Sequence, residues 1–263
     1  IASLEEEGFT DTTDVEALKA EINRLEDRVS KLREAAKEEA GQSARDFTGD
    51  GNRQYLTGLN LGGNRIVILI DASASMLADS IVNVIRLRNM DPELQRSADK
   101  WQRALNTVDW LTSQLPINSQ YQIIAFNTEA QPILSGTAGK WLEVADAPQL
   151  KAATEALRDR LPSGGTNLHG AFDAVGTLPG GPDNIFLITD GLPTQSYEPP
   201  RRTTISGRDR LNLFRKAVQR LPSGVPVNII LAPMEGDPMA ASEFWQLAQV
   251  SGGSFMSPSR DWP

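Results

Sequence analysis

Hydrophobic residues along this chain follow two alternating spacings, one typical of strands and one typical of helices. Short unbroken apolar runs predict strands at residues 65–70, 121–126, 184–188, 227–231 and 254–256. Between them, apolar residues recur every three or four positions, which predicts helices at residues 101–115, 150–161, 211–221 and 238–247. This regular alternation predicts an α/β fold with a doubly wound, mostly parallel sheet covered by helices on both faces.

The region before the first of these strands indicates further organisation. Residues 55–61 alternate between apolar and polar and are followed by Gly62 and Gly63, which predicts a strand paired with the next one across a glycine turn. Residues 41–54 are rich in Gly, Asp, Ser and Asn and predict a linker. We therefore predict a helical segment at residues 1–40, this linker, and an α/β domain at residues 55–263.

The amino-terminal segment carries a heptad pattern, which predicts an amphipathic, coiled-coil-like helix that serves as a stalk. Three uses of this helix remain open, which are packing on its own domain, pairing with a second copy, and binding a partner helix. The apolar seam consists of Val15, Leu18, Ile22, Leu25, Val29 and Leu32.

Composition limits the classes of function. The chain has 26 Lys and Arg against 34 Asp and Glu, a net charge of −8, which argues against a nucleic-acid partner. The absence of cysteine excludes disulfides, thiolate zinc sites and a cysteine nucleophile. The longest apolar stretch, residues 66–70, is far shorter than the roughly 20 residues of a membrane helix. Because the chain opens on Ile1, we expect a processed or truncated product whose missing part held a signal or anchor.

Candidate chemistry lies where predicted strands end. Asp71, Ser73 and Ser75 directly follow one strand, Asp190 follows another, and Thr166 lies in a Ser-Gly-Gly-Thr-Asn loop. Ligands bind such sheets at the carboxyl ends of the strands, so we expect these three segments to converge there. Carboxylates and hydroxyls are hard oxygen donors that suit a Mg²⁺-type ion. The alternative is that the two carboxylates cap turns and the hydroxyls satisfy local backbone groups.

These three segments, in this order, resemble the von Willebrand factor type A domain family with a complete metal-ion-dependent adhesion site. The resemblance covers about residues 56–256 and implies the Rossmann-like fold of that family. It implies a bound Mg²⁺, or Mn²⁺ or Ca²⁺, with an open coordination position. A protein partner that presents an Asp or Glu carboxylate would fill this position.

The resemblance also assigns a role to each of the five residues. It implies that the hydroxyls of Ser73 and Ser75 bind the metal directly, and that Thr166 does so in the ligand-competent state. It implies that Asp71 and Asp190 act largely through water molecules. Hydroxyl and water ligands leave a divalent ion electrophilic, whereas directly bound carboxylates would neutralise it.

Enzymatic chemistry has little support in the sequence. His169, the sole histidine, lies three residues past Thr166, but imidazole suits a hard oxygen site poorly, so we expect a packed or solvated side chain. Ser73 and Ser75 lack the Gly-x-Ser-x-Gly setting of a nucleophile elbow. Paired glycines in the chain do not form a phosphate-binding fingerprint. The sequence therefore favours a binding module over an enzyme.

Two segments are expected at the rim of the site. Residues 76–97 form a longer connection than the direct one of the resembled family, and residues 193–209 follow the third ligand segment. The first segment carries Arg86, Arg88 and Arg96 among apolar residues, and the second carries Arg201 and Arg202. These arginines either recognise an acidic ligand beside the metal or form a solvated face.

The leading hypothesis is a metal-dependent, non-enzymatic module that captures an acidic residue of a protein partner. The stalk and the absence of cysteine resemble bacterial type A domain proteins, which are anchored in the inner membrane and face the periplasm within membrane complexes. One alternative is a cytoplasmic assembly factor that works with an AAA+ ATPase. Another is a metal-dependent hydrolase in which Asp71 and Asp190 activate a water molecule.

Overall fold

The computed structural model describes residues 61–200 and 204–259, together with the isolated residues Ala20, Arg24, Leu25, Asp27, Arg28, Lys31, Leu59 and Trp262. The chain divides into two compact units, Ile1–Ser43 and Ala44–Pro263. In the first unit the six described residues are helical and exposed. The other seam positions, Val15, Leu18, Ile22, Val29 and Leu32, lie outside the described residues, so the stalk and its pairing stay predictions.

The second unit is built on one seven-stranded sheet. Its strands in chain order are β1 (Arg65–Asp71), β2 (Gln120–Phe126), β3 (Ala130–Pro132), β4 (Leu142–Glu143), β5 (Asn184–Thr189), β6 (Val227–Leu231) and β7 (Phe255–Met256). The strand order is β3-β2-β1-β5-β6-β7, and β4 also pairs with β2. The pairs β1–β2, β1–β5, β5–β6 and β6–β7 are parallel, whereas β3 and β4 are antiparallel to β2.

Helices cover both faces of the sheet. They are α1 (Ile81–Leu87), α2 (Pro92–Arg96), α3 (Asp99–Gln114), α4 (Ala147–Arg158), α5 (Leu168–Gly176), α6 (Gly207–Val218) and α7 (Ala240–Ser251), and a 3₁₀ turn at Ala74–Leu77 precedes α1. Buried residues of α3 and α4 belong to one hydrophobic cluster, and those of α5, α6 and α7 belong to another. The predicted doubly wound, mostly parallel α/β fold is thus confirmed.

Strand β1 forms the centre of the sheet because both of its faces are apolar. Ile66, Ile68 and Ile70 enter one hydrophobic cluster, and Val67 and Leu69 enter the other. Side chains alternate between the two faces of a strand, so an uninterrupted apolar run fits a strand covered on both sides. The central position of β1 places its carboxyl end in the middle of the ligand-binding edge.

The predicted strand pair between residues 55–61 and β1 is wrong. Both edges of β1 are taken by β2 and β5, so a further strand cannot pair with it. Leu59 and residues 61–64 are not in strands, and residues 55–58 and 60 lie outside the described residues. The carbonyl of Gly62 instead accepts a hydrogen bond from Asn184 Nδ2 at 2.6 Å. This contact ties Gly62 to the first residue of β5.

Helix α7 begins later than the sequence indicates. The pair Asp237-Pro238 predicts a capped helix start, yet α7 begins at Ala240. The Asp237 carboxylate is occupied elsewhere, since it accepts the Leu192 N–H at 2.7 Å and pairs with Arg210 at 2.7 Å. The Asp237 side chain therefore makes long-range contacts and does not cap the start of α7.

The far end of the described chain lies against α3. Trp262 is 5% exposed and belongs to the same hydrophobic cluster as α3. Its ring meets that of Trp110 edge to face, with centroids 5.4 Å apart, a favourable arrangement for an aromatic pair. Within the described residues, no helix has the length and apolar character needed to cross a bilayer.

Candidate functional site

The candidate site lies where β1 and β5 end side by side. The two strands are parallel neighbours, and Ile70 of β1 pairs with Ile188 of β5. This register brings Asp71, the last residue of β1, next to the end of β5 and the following Asp190. Both carboxylates are buried, with Asp71 at 0% and Asp190 at 2% exposure. Buried carboxylates need hydrogen-bond donors or a cation to offset the loss of water.

A chain of hydrogen bonds joins these carboxylates to two hydroxyls. The Ser73 N–H donates to Asp71 Oδ1 at 2.9 Å, and the Thr189 hydroxyl donates to Asp71 Oδ2 at 2.8 Å. The Ser73 and Ser75 hydroxyl oxygens are 2.9 Å apart, and Ser75 Oγ donates to Asp190 Oδ1 at 3.0 Å. The structure thus links four of the five residues singled out in the sequence in one series, Asp71 to Ser73 to Ser75 to Asp190, each within hydrogen-bond distance of the next.

The loop that carries Thr166 is fastened to the first of these segments. The Ser163 N–H donates to the carbonyl of Ala72 at 2.9 Å, and the Ala74 N–H donates to the carbonyl of Gly164 at 3.1 Å. Thr166 itself is buried, at 4% exposure. The Ser-Gly-Gly-Thr-Asn loop therefore lies beside the segment that carries Asp71, Ser73 and Ser75, as expected from the sequence.

Residues 194 and 195 hold the backbone of Thr166 in place. The Thr166 N–H donates to Thr194 Oγ1 at 2.9 Å, and the Thr166 carbonyl accepts the N–H groups of Thr194 and Gln195 at 3.0 and 3.2 Å. A side chain at Gly165 has no space here, because its Cβ would lie 2.7 Å from Thr194 Oγ1 and 2.8 Å from Gln195 Oε1. Gly165 therefore permits the close approach that fixes its neighbour.

Sequence reasoning missed Lys100, which supplies a positive charge to the site. This lysine is the second residue of α3 and is 2% exposed. Its Nζ donates to Asp190 Oδ2 at 2.8 Å and to the carbonyls of Ser75 and Ala78 at 3.2 and 3.1 Å. The one available signal was charge balance, because two buried carboxylates call for a cation that the three-segment motif does not contain.

Lys100 supplies one positive charge against the two buried carboxyl groups of Asp71 and Asp190, so it does not balance the site completely. Burial, and then the nearby charge of Asp190, raise the pKa of Asp71 to about 7, although hydrogen bonds from Ser73 and Thr189 act in the opposite direction. A carboxyl whose pKa is raised in this way gains from a bound cation, because the cation offsets both burial and repulsion. The local electrostatics therefore fit a divalent ion at this position.

The chemistry of the donor set specifies which kind of ion fits. Carboxylates and hydroxyls converge at the site, and neither nitrogen nor sulfur donors are among the five residues. The described residues contain no group of three or more His, Asp or Glu side chains arranged to hold a metal ion. A site with two carboxylates and several hydroxyls suits a Mg²⁺-type ion that keeps part of its water shell.

A second network, also unpredicted, supports the loop that follows Asp190. Arg210 donates to the carbonyl of Leu192 at 2.6 Å, and Asp237 accepts the Leu192 N–H. A side chain at Gly191 would meet this pair, because its Cβ would lie 2.8 Å from Asp237 Oδ2. These contacts fix the backbone of Leu192, two residues past Asp190, and so support the loop after β5.

His169 is packed, which is one of the two states, packed or solvated, expected from its sequence context. It lies in α5 and is 6% exposed, with its ring centroid 6.3 Å from that of Tyr197. Burial, and then the charge of Arg220, lower the pKa of His169, which favours the neutral imidazole.

Residues 66–192, from β1 to the loop after β5, match a known protein family. The family is the von Willebrand factor type A domain. All five residues of the candidate site lie within the segment that matches the type A domain. A comparison with curated proteins found no match.

Several solved structures are similar to this chain. A von Willebrand factor type A protein from Catenulispora acidiphila has a TM-score of 0.52 at 19% identity, covering 76% of this chain and 39% of that one. An aerotolerance-related membrane protein from Bacteroides fragilis has a TM-score of 0.44 at 16% identity, covering 76% and 93% of the two chains. Proximal thread matrix protein 1 from the mussel byssus, with a zinc-occupied MIDAS motif, has a TM-score of 0.41 at 16% identity, covering 75% and 44%. At these identities the likeness extends to the fold alone, and this chain spans 39% of the length of the first protein.

Proposed function

We propose that this chain is a metal-dependent protein-binding module, in which a Mg²⁺-type ion at the carboxyl ends of β1 and β5 binds an acidic residue of a protein partner. One observation carries the proposal. Asp71, Ser73, Ser75 and Asp190 come from two separate strand ends and are joined by contacts of 3.0 Å or less. The match of residues 66–192 to the type A domain supports the same function.

Each residue of the site has a proposed role. The hydroxyls of Ser73, Ser75 and Thr166 are direct ligands, and the carboxylates of Asp71 and Asp190 act largely through water molecules. This division leaves the ion electrophilic, so that it attracts a carboxylate from outside. Mn²⁺ and Ca²⁺ take oxygen ligands as well and are the other ions we expect to bind.

We propose binding rather than catalysis. Type A domains are generally interaction modules, and residues 66–192 match that family. The Ser75 hydroxyl donates to Asp190 and lies 2.9 Å from the Ser73 hydroxyl. These contacts hold the three side chains together as oxygen ligands for one ion. Lys100 pairs with Asp190, which ties this carboxylate to the site.

The setting of the module is a proposal that rests on the sequence. We propose that the predicted stalk joins the domain to a bacterial membrane complex on the periplasmic side, with assembly alongside an AAA+ ATPase in the cytoplasm as the alternative. Fractionation of cells that express the full-length gene product distinguishes the two. Recovery with inner membranes supports the first proposal, and recovery with the cytoplasm supports the second.

Titration with Mg²⁺ and Mn²⁺ tests the metal site directly. The wild-type protein is expected to bind Mn²⁺, and Asp71→Ala and Thr166→Ala are each expected to weaken the affinity by about 10- to 100-fold, the usual loss when a supporting ligand is removed. Isothermal titration calorimetry measures the three affinities. Glu155→Ala is the control, because Glu155 lies on the exposed side of α4, where it pairs with Lys151. Equal affinities in the wild type and both site variants would rule out this metal centre.

Gly165→Ala tests whether the backbone of Thr166 is positioned by its neighbours. The added methyl group must displace the Thr194 hydroxyl and the Gln195 side chain, so the hydrogen bond to the Thr166 N–H is lost. A hydrogen bond of this kind contributes about 1 kcal/mol, so Mn²⁺ affinity should fall by roughly 5- to 10-fold. Gly176→Ala is the matched control, since a Cβ there meets nothing within 4 Å. Unchanged affinity in Gly165→Ala would show that these contacts do not govern the site.

A further inference from the structure

Lys100 places a fixed positive charge at the candidate metal site. In the described part of the chain, it is the one cationic side chain that pairs with a carboxylate of this site. The side chains of Lys100 and Asp190 are only 1% and 3% exposed. Water therefore screens this charge weakly, and it acts strongly on any charged group that binds beside Asp190.

The ammonium group of Lys100 is held in one position. An ammonium group has three protons, and three acceptors surround this one, which are Asp190 Oδ2 and the carbonyls of Ser75 and Ala78. The other oxygen of the same carboxylate, Asp190 Oδ1, accepts the Ser75 hydroxyl at 3.0 Å. A single carboxylate therefore links the ammonium group to a proposed hydroxyl ligand of the ion.

The neighbouring arginines do not add to this charge, because each is paired with an acid. Arg103, one turn further along α3, pairs with Asp79 at 3.1 Å. Arg210, which lies behind Gly191, pairs with Asp237 at 2.7 Å. The local charge of the site is therefore determined by the carboxylates of Asp71 and Asp190 and by Lys100.

These three groups give the site an excess of one positive charge once a divalent ion is bound. A bound cation favours the ionised form of both carboxyl groups, so two negative charges face the two charges of the ion and the one of Lys100. Without Lys100, the two carboxylates alone would neutralise the ion. An uncompensated charge in a buried setting is costly, so the site with its lysine gains from one further negative charge.

We propose that Lys100 makes the metal site selective for a singly charged anionic oxygen ligand, a carboxylate, over neutral ligands such as an amide. This proposal rests on the proposed function and identifies the residue that gives the site its preference. Lys100 acts through the charge that it adds to the site, without contact to the ligand. Its removal should therefore strengthen the binding of the cation and weaken the binding of the anion.

Mn²⁺ and acetate provide the probe, with the full chain as the protein. Isothermal titration calorimetry measures Mn²⁺ affinity in sodium perchlorate, whose anion coordinates metal ions weakly, in sodium acetate of equal ionic strength, and in perchlorate with acetamide. A ligand that binds only the metal-loaded protein raises the apparent affinity for the metal. Acetate is expected to give the wild type such a gain and acetamide is not. Binding of acetate to free Mn²⁺ is the same for every variant compared.

Three variants change the charge of the site in different directions. Lys100→Met is expected to bind Mn²⁺ about tenfold more tightly in perchlorate and to lose the acetate gain. Asp190→Asn removes a negative charge instead, so it should bind Mn²⁺ about tenfold more weakly and show a larger acetate gain than the wild type. The double variant Lys100→Met/Asp190→Asn has the net charge of the wild type and should recover the wild-type acetate gain.

Circular dichroism melting establishes that each variant is folded. The double variant replaces the buried ion pair with two neutral side chains, a change that proteins often tolerate. If Lys100→Met does not fold, Asp190→Asn decides the question, since an acetate gain no larger than that of the wild type contradicts the proposal. Arg103→Met is the matched control on the same helix. Its pair with Asp79 is more exposed, at 26% and 44%, so both measured quantities should stay close to those of the wild type.

The other outcomes separate this proposal from the proposed function. A wild-type acetate gain in Lys100→Met contradicts the role of Lys100 and leaves the metal module standing. A loss of both Mn²⁺ affinity and acetate gain in Lys100→Met, without recovery in the double variant, does the same, because it is the pattern of a purely structural lysine. Equal effects of acetate and acetamide on the wild type overturn the selectivity and the capture of a carboxylate, but not the metal site. Absence of Mn²⁺ binding by the wild type removes the proposed function and this proposal together.

Discussion

Lys100→Met is expected to lower the free energy of unfolding of the metal-free protein by about 3–5 kcal/mol, the usual cost of removing one partner of a buried ion pair. The side chains of Lys100 and Asp190 are 1% and 3% exposed, and their charged atoms are 2.8 Å apart. Without Lys100, Asp190 keeps its buried charge beside Asp71. Two backbone carbonyls, of Ser75 and Ala78, also lose a donor.

Added metal is expected to restore part of this loss. A divalent ion offsets the charge of Asp190 and Asp71, so Mg²⁺ should raise the melting temperature of Lys100→Met by more than that of the wild type. Urea denaturation with EDTA and with Mg²⁺ measures both effects. Arg103→Met, one turn further along α3, is the control. Arg103 and Asp79 form a more exposed pair, with side chains 26% and 44% exposed, so its loss should cost less than about 1 kcal/mol. A Lys100→Met protein as stable in EDTA as the wild type would show that the buried pair does not stabilise the fold.

Gly253→Ala is expected to destabilise the domain by about 3 kcal/mol, because the added methyl group has no space. A Cβ at Gly253 would overlap the carbonyl carbon and oxygen of Val227 and lie 2.7 Å from the Val227 nitrogen. The clash cannot be relieved by a side-chain rotation, because the overlapping atoms belong to the backbone of Val227. The strand β7 would have to leave β6, and with it the hydrogen bond from the Ile229 N–H to the Ser254 carbonyl at 2.7 Å.

The control for this prediction is Gly176→Ala. Gly176 ends α5, and a Cβ there meets nothing within 4 Å, so alanine should stabilise the protein by up to about 1 kcal/mol. Thermal and urea denaturation of the two variants compare them with the wild type. Equal stability of Gly253→Ala and the wild type would mean that β7 is not held against β6 in solution.

The sheet was predictable because its strands are buried on both faces. The apolar run from Ile66 to Ile70 carries that information in itself, and the same holds for β5 and β6. The short antiparallel strands β3 and β4, of three and two residues, escaped prediction because they are too brief to show a period. Residues 55–61 gave a wrong prediction of a strand paired with β1 although their alternation is regular. The pattern does not reveal that β2 and β5 already occupy both edges of β1.

The candidate site was predictable to the extent that its residues lie at strand ends. Asp71 and Asp190 meet because parallel neighbours end at the same edge, a consequence of topology that the sequence pattern contains. Lys100 and the Arg210–Asp237 pair were not predictable in this way. Lys100 contacts a residue 90 positions further along the chain, and Asp237 contacts one 45 positions earlier. Such contacts depend on how the helices dock, which local spacing does not encode.

The position of β1 between two parallel partners also determines how the site responds to local unfolding. Edge elements such as β3, β4 and β7 have few sheet hydrogen bonds to lose, so they open more readily than the centre of a sheet. The first ligand segment continues directly from β1, the strand that we expect to open last. The arrangement of Asp71, Ser73 and Ser75 should therefore persist while the margins of the domain fray, so that an arriving ion or partner meets a site already formed.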